Sequence, residues 1–295
     1  MSRLVKFADK HIGEGQPTCI IAEIGINHNG SLDLTRQLID VAVQCGCDAV
    51  KFQKRDPDLC VPPDMMDKMR ETPWGYISYL EYKRHIEFGL DEFRSIDEYC
   101  KDKGMLWFAS CWDEPSVDFM AQFDTPCIKI PSAALTHKQL LEKAQSQDCP
   151  VMLSTGMSTM QEVQAVVKLL GTDRLLLAHA TSTYPCPVEE LNLRMAQTLA
   201  REFDCPIGYS GHERGLTPTV ASGALGASFI ERHITLDRAM WGSDQSASVE
   251  PVSLRRLVKE IRLVDSGLGD GVKKVYQSES VSRTRLRRVN DLPLN

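Results

Sequence analysis

The sequence predicts an α/β chain folded as a (β/α)8 barrel, the TIM-barrel architecture, and three observations predict it. Eight short runs rich in β-branched and apolar residues recur along the chain, each ending in a polar residue. The runs are apolar throughout and do not alternate, which suits strands covered on both faces. Amphipathic stretches separate them, and 295 residues comfortably exceed the roughly 250 that such a barrel needs. An open doubly wound sheet is the main alternative.

In chain order, Val5–Ile12 followed by GEGQP reads as a short hairpin, which in a barrel would plug the N-terminal face. The strands follow as Cys19–Gly25, Ala49–Gln53, Leu106–Ser110, Cys127–Ser132, Val151–Thr155, Leu175–Ala180, Pro206–Ser210 and Phe229–Ile234. Ser31 is the expected N-cap of the first helix, whose Leu34, Leu38 and Val41 share a face. Met160–Leu170 has the same period, and Leu254, Leu257, Ile261 and Val264 form a late stripe. Strand spacing fits one βα unit throughout, except between strands two and three. There the insert Lys54–Leu90, with Trp74, Tyr76, Tyr79, Tyr82 and Phe88, has the length of a lid or binding loop. Gly267–Gly271 (GLGDG) follows a helix and opens none, so it reads as a C-cap and turn. Residues 1–277 form the expected catalytic unit, and the polar, basic tail 278–295 is expected to be extended or mobile.

Composition excludes several classes. Apolar residues are 42% and charged residues 25%, ordinary globular values that rule out disorder or coiled coil as the main state. A net charge of −6 argues against nucleic acid or an anionic membrane as partner. No apolar run reaches about 18 residues, and the start carries no signal-peptide pattern. The ten cysteines include no CxxC pair, so reduced thiols in a cytoplasmic protein are expected.

In a parallel barrel the active site lies at the C-terminal strand ends. Those ends carry Glu23; Lys51 and Gln53; Ser110; Lys129 and Ser132; Ser154 and Thr155; His179 and Ser182; Ser210 and His212; Glu231 and His233. Alternation puts Lys51 with Gln53, and Glu231 with His233, on common sides. Inward charges are costly unless paired or bound to something. Two lysines with several hydroxyls suit a phosphate and a carboxylate, although a salt bridge within the mouth would also explain a lysine there. His212 and His233, on neighbouring strands, have the placement of a divalent metal pair with open positions; a hydrogen-bonded core role is the alternative. His28 either contacts a substrate or closes a turn. There is no HExxH, Walker A or GxSxG motif, and Cys111 beside Trp112 reads as a packing thiol.

IAEIGINHNG, KFQ, YKRHIEF, KIPS, LSTGM, TSTYPCP, IGYSGH, ERHITLD and WGSDQSAS resemble, in order and from about Val5 to about Arg288, the sialic acid (N-acetylneuraminate) synthase family. The resemblance implies condensation of phosphoenolpyruvate with an N-acylated sugar aldehyde, releasing phosphate by C–O cleavage. It implies that Glu23 is the acid/base carboxylate. Lys51, Lys129, Ser132, Ser154 and Ser210 would bind phosphoenolpyruvate. Gln53, Tyr184 and Asp244 would line the sugar site. His212 and His233 would hold a divalent metal, manganese first, with magnesium or cobalt as alternatives. A homodimer or higher homo-oligomer is implied as well. The chain departs from the family pattern at Ala134, Cys111, Ser182 and Ser243–Asp244–Gln245, and an antifreeze-like C-terminal domain common in the family would begin about where Asn295 stands. Another acceptor aldose, a Schiff-base aldolase using Lys51 or Lys129, and a non-catalytic ligand-binding relative are the competing readings.

Overall fold

The computed structural model describes residues 4–289. A hairpin of β1 (Val5–Phe7) and β2 (Lys10–Ile12) comes first. Eight parallel strands then close in sequence order into a barrel: β3 (Cys19–Gly25), β4 (Ala49–Lys54), β7 (Leu106–Cys111), β8 (Ile128–Ile130), β9 (Val151–Ser154), β10 (Leu175–Ala180), β11 (Ile207–Gly211) and β12 (Phe229–His233). The outer ring comprises α1 (Leu32–Cys45), α4 (Leu90–Lys103), α5 (Glu114–Met120), α6 (Lys138–Gln145), α7 (Met160–Leu170), α8 (Arg194–Glu202), α9 (Thr217–Ala224) and α10 (Pro251–Leu268). The expected architecture is the observed one. The fourth strand is shorter than the Cys127–Ser132 run, because Pro131 removes a ladder donor and Ser132–Ala134 turns into a 3-10 helix.

Strand period two sorts every side chain. Ile20, Ala22, Ile24, Val50, Phe52, Trp107, Ile128, Leu153, Leu177 and Ile230 face outward and pack under the helices. Cys19, Ile21, Ala49, Phe108, Met152, Leu176, Ala178 and Phe229 face inward and fill the lower barrel. Val5, Phe7 and Ile12 join that inner layer, with the Phe7 and Phe108 rings edge to face at 5.7 Å. The hairpin is therefore the expected plug of the N-terminal end. Below it, Asp48 draws hydrogen bonds from Lys10 Nζ at 2.7 Å and the Ile20 amide at 2.9 Å, and Arg262 of α10 meets it at 2.5 Å.

The helices begin and end where their caps dictate. Ser31 accepts from the Leu34 amide, and Gly46, at φ 80°, closes α1 in the left-handed conformation. Such a side-chain cap contributes about 1 kcal/mol. Of the late stripe, Leu254, Leu257 and Ile261 are buried, while Val264 is only partly covered. Gly269 ends α10 at φ 65°, as the turn reading requires.

Two regions differ from expectation. The Lys54–Leu90 insert has structure of its own: α2 (Pro57–Cys60), a hairpin of β5 (Met69–Thr72) and β6 (Gly75–Ser78), and α3 (Tyr79–Ile86), opened by a Ser78–Glu81 capping box. The tail is not extended throughout. Ser280–Leu286 forms an exposed helix, α11, since nothing between Gln277 and Leu286 breaks a helix, although no apolar face is buried. The part of the tail at 290–295 lies outside the described residues. Among the described residues no helix is long and apolar enough to cross a membrane.

Candidate active site

The site is the next inward layer above the apolar plug. Continuing the same alternation, Glu23, Lys51, Gln53, Ser110, Lys129, Ser154, Ser210, His212, Glu231 and His233 all line one cavity of about 180 Å3 at the C-terminal mouth. A larger cavity, about 610 Å3, lies at the opposite end beside Gly13–Gln16 and α8, away from this cluster.

Gly25 makes the crowding possible. It sits at φ 56° where the β3 register slips, and a Cβ there would lie 3.1 Å from Glu23 Oε1, 3.2 Å from Gln53 Nε2 and 3.3 Å from His233 Cε1. Lys51 Nζ is 2.8 Å from Glu23 Oε2 and donates to Ser110 Oγ at 2.8 Å. Glu231 Oε2 lies 3.7 Å from Lys51 and 3.6 Å from Lys129, and Ser210 donates to Glu231 Oε1 at 3.0 Å. Lys129 donates to Ser154. All four charged side chains are buried. Glu231, which the strand-end reading noted without assigning it a role, is thus the common counter-ion of both lysines.

The two carboxylates sit in different fields. Burial pushes Glu23 above the usual carboxylate range, and Lys51 and His233 only partly oppose it. Burial acts on Glu231 too, but Lys129 and Lys51 outweigh it and hold Glu231 low, at about 2. Burial likewise pulls Lys129 below the ordinary lysine range, against the pull of Glu231. One carboxyl shifted up and one held low, both on Lys51, is the kind of division acid–base chemistry uses.

On one wall the Gly156 amide donates to Ser132 Oγ at 3.0 Å, and any Cβ on Gly156 would collide with Ser182 Oγ. Glycine there leaves room for the Ser132 and Ser182 hydroxyls, both of which line the cavity, the makings of an anion cradle. Trp112, Pro131, Ala133 and Met157 complete the lining. They come from loops beyond the strand ends, where alternation gives no signal.

On the opposite wall the imidazoles of His212 and His233 lie 5.6 Å apart, with the Tyr184 ring 4.1 Å from the first and 5.8 Å from the second. His212 Nδ1 engages the Thr181 carbonyl at 2.9 Å, which leaves Nε2 as its free lone pair. Burial, reinforced by His233, lowers the pKa of His212 to about 3, so the imidazole is neutral at pH 7. His233 Nδ1 is buried without a hydrogen bond, 3.8 Å from Asp244 Oδ2. Among the described residues no group of three or more His, Cys, Asp or Glu is arranged to hold a metal. With Nε2 of His212 open and Nδ1 of His233 unpartnered, two ring nitrogens are left that would hold a cation whose other positions fall to substrate and water.

The network behind this pair was not foreseen. Tyr209, Glu213 and Arg232 have outward parity and lie between barrel and α9. Arg232 donates to Glu213 Oε1 at 3.0 Å and to the Glu213 carbonyl at 2.7 Å, Tyr209 Oη donates to Glu213 Oε2 at 2.9 Å, and Thr219 closes the group. Glu213 follows His212 and Arg232 precedes His233, so one buried ion pair ties together the two backbones that carry the imidazoles.

Of the other expected residues, Ser132, Ser182 and Tyr184 line the cavity, and Asp244 stands at its rim beside His233. Thr155 does not line it. Its parity is outward, its hydroxyl donates to the Ala178 carbonyl at 3.0 Å, and it borders a separate cavity with His179. His28 stacks on Phe88 at 4.1 Å and accepts from the Gly30 amide at 3.0 Å, closing a turn. Cys111 is buried against the Ser116 carbonyl as a packing thiol.

Residues 38–273 match the model of the NeuB family. The N-acetylneuraminate-9-phosphate synthase of Homo sapiens is 39% identical over 281 residues, covering 93% of this chain and 78% of that protein. The N,N'-diacetyllegionaminic acid synthase of Legionella pneumophila is 36% identical, covering 92% of this chain and 79% of that one. A crystal structure of N-acetylneuraminic acid synthetase from Leptospira borgpetersenii, in complex with citrate, superposes with a TM-score of 0.88 at 31% identity, covering 98% of this chain and 99% of that one. A barrel with this mouth, matched over four fifths of its length by the family model and over nine tenths by named synthases, belongs to the NeuB family.

Proposed function

We propose that this chain, a carbon–carbon bond-forming synthase of the transferase type, condenses phosphoenolpyruvate with an N-acylated sugar aldehyde of the N-acetylmannosamine kind, giving a nonulosonic acid and phosphate. The single observation that carries this reading is the convergence of Glu23, Lys51, Lys129, Glu231, His212 and His233 on one cavity. The family condenses this donor with sugars generally, and relatives are named for sialic, legionaminic and pseudaminic acids. Ten unpaired cysteines support a reducing compartment, the cytoplasm.

Lys51 and Lys129 hold the phosphate and carboxylate of the donor, with Ser132, Ser154 and Ser210 completing the cradle. A divalent cation on His212 and His233, manganese first and magnesium or cobalt as alternatives, would supply Lewis-acid polarisation of the acceptor carbonyl. Tyr184 and Asp244, beside the imidazoles, and Gln53, on the Glu23 side, bound the acceptor. The donor methylene carbon bonds to the carbonyl carbon, and water adds to the donor's oxygen-bearing carbon. Glu23, which burial favours in its protonated form, gives its proton to the acceptor's carbonyl oxygen as the carbon–carbon bond forms and regains one from the attacking water, and the remaining hydroxyl proton passes to the departing phosphate as the C–O bond breaks. Ionised Glu231 keeps both lysines in place.

The test is phosphate release from phosphoenolpyruvate against a panel of aldoses, with and without Mn2+, using donor labelled with ¹⁸O at the bridging oxygen. The label is expected in phosphate; label retained in the ketoacid excludes C–O cleavage. The lowered Lys129 favours one second reading, a Schiff-base aldolase. Borohydride trapping of a keto substrate on Lys129 would establish it.

A further inference from the structure

The Glu23 carboxyl is steered by a residue beyond the strand ends. Gln53 Nε2 donates to Glu23 Oε1 at 3.3 Å. The other end of the same amide, Oε1, accepts from the guanidinium of Arg55. Arginine only donates, so the amide atom that faces it has to be the oxygen, and the one that faces Glu23 has to be the nitrogen. That nitrogen needs a lone pair opposite it, so Glu23 Oε1 is not the oxygen that carries a proton. The proton of a neutral Glu23 is left to Oε2, which has no hydrogen-bond partner although Lys51 Nζ lies 2.8 Å away.

Arg55 is itself held firmly. It continues the inward phase of Lys51 and Gln53 one step past the end of β4 and is 6% exposed. Its guanidinium lies 4.8 Å from the centroid of the Trp112 ring, and the Trp112 amide donates to the Lys54 carbonyl at 3.1 Å. Arg55 Nε lies 3.4 Å from Glu87 Oε2, and the Arg55 amide donates to Oε1 of the same carboxylate at 3.0 Å. Glu87 is the C-cap residue of α3, and α3 is docked on the mouth. Tyr82 packs edge-on against Trp241 of the loop after β12 at 5.1 Å, and Ile86 and Tyr82 bury Ile26 of the loop after β3. The insert thus fixes Glu87, Glu87 and Trp112 fix Arg55, and Arg55 fixes the Gln53 amide.

We propose that Arg55 is a positioning residue for the reaction. By holding the Gln53 amide in one orientation it confines the Glu23 proton to Oε2, the oxygen beside Lys51, from which it passes to the acceptor's carbonyl oxygen. This rests on the reading that Glu23 is the acid/base carboxyl. Without the guanidinium the Gln53 amide is free to turn over about its last torsion, present Oε1 to Glu23 and trap the proton in a hydrogen bond there. Removing Arg55 orphans no carboxylate, because Glu87 keeps Lys54 Nζ at 3.0 Å.

The experiment is a double-variant cycle on the full chain. It is read as phosphate release with phosphoenolpyruvate, Mn2+ and the aldose that wild type turns over fastest, beside calorimetric binding of phosphoenolpyruvate. Arg55→Met is expected to lower kcat at least tenfold and to leave the Kd for phosphoenolpyruvate within twofold. Arg55→Lys, which keeps a donor for Gln53 Oε1, should keep at least a third of kcat. In a Gln53→Met background, where no amide is left to orient, adding Arg55→Met should lower kcat less than twofold further. An Arg55→Met kcat within twofold of wild type, or a tenfold loss that persists undiminished in the Gln53→Met background, overturns the inference. Gln53→Glu still accepts from Arg55 but has no donor for Glu23, so it should lose kcat at least tenfold; turnover within twofold of wild type would overturn the inference even if Arg55→Met failed to fold. Glu23→Gln separates the two readings. Full activity in that variant refutes the acid/base role itself, whereas its loss beside an unimpaired Arg55→Met refutes the positioning role alone.

Discussion

Glu213→Gln isolates the ion pair behind the two histidines. The substitution keeps size and hydrogen-bonding shape but leaves Arg232, with a side chain 3% exposed, as an uncompensated charge. At the observed 3.0 Å and an effective dielectric constant near 20, the lost Coulomb attraction is about 5 kcal/mol. The glutamine amide recovers part of it, and truncating one partner of a buried pair generally costs about 3–5 kcal/mol. At about 2–4 °C per kcal/mol for a chain of this size, calorimetry should show Tm falling by roughly 6–20 °C. The double variant Glu213→Leu/Arg232→Met, which removes both charges, should recover more than half of that loss. Because the pair ties together the backbones of His212 and His233, Mn2+ affinity read by EPR should fall about 10–100-fold in Glu213→Gln. A single variant within 1 kcal/mol of wild type, or one that binds Mn2+ equally well, would refute the reasoning.

Further outcomes follow from other parts of the molecule. Burial alone would raise the Asp48 pKa, but hydrogen bonds from Lys10, the Ile20 amide and Arg262 prevail and hold it below the usual carboxylate range. Its stabilisation is therefore fully present above the unfolded value, near 3.9, and is lost as pH falls through the folded value. Asp48→Asn should lower Tm at pH 7 and flatten its decline below about pH 4; a parallel acid limb would contradict this. Thr155→Val should change phosphate release less than threefold, since the hydroxyl faces the Ala178 carbonyl on the outer side; a hundredfold loss would return Thr155 to the site. His212→Ala should abolish stoichiometric Mn2+ uptake and lower turnover by about 10²–10³; full metal content in the variant would show that the imidazole is no ligand.

What the sequence revealed of the site follows from one rule. Inward parity on β3, β4, β8, β11 and β12 carries Glu23, Lys51, Lys129, His212 and His233 into the mouth, and it could be read from the strand runs alone. Thr155 and His179 lie at strand ends too, but one position out of phase, so counting ends without counting parity misplaces Thr155. Glu213 and Arg232 have the phase of core residues, and nothing in the linear order shows that two buried charges on adjacent strands meet. Gly156, Trp112 and Met157 lie in loops whose paths depend on tertiary packing. The insert was visible by length and aromatic content, while its docking on Trp241 needed the spatial neighbourhood of a loop some 160 positions away. The tail has a helix without a buried face, which hydrophobic periodicity is unable to report.

The proposed function requires Lys51 and Lys129 to form one phosphoenolpyruvate site above the plugged barrel. Calorimetric titration of phosphoenolpyruvate into wild type, Lys51→Met and Lys129→Met tests it most directly. A single saturable site is expected in wild type, weakened at least tenfold by each substitution. Binding left unchanged by both would contradict it.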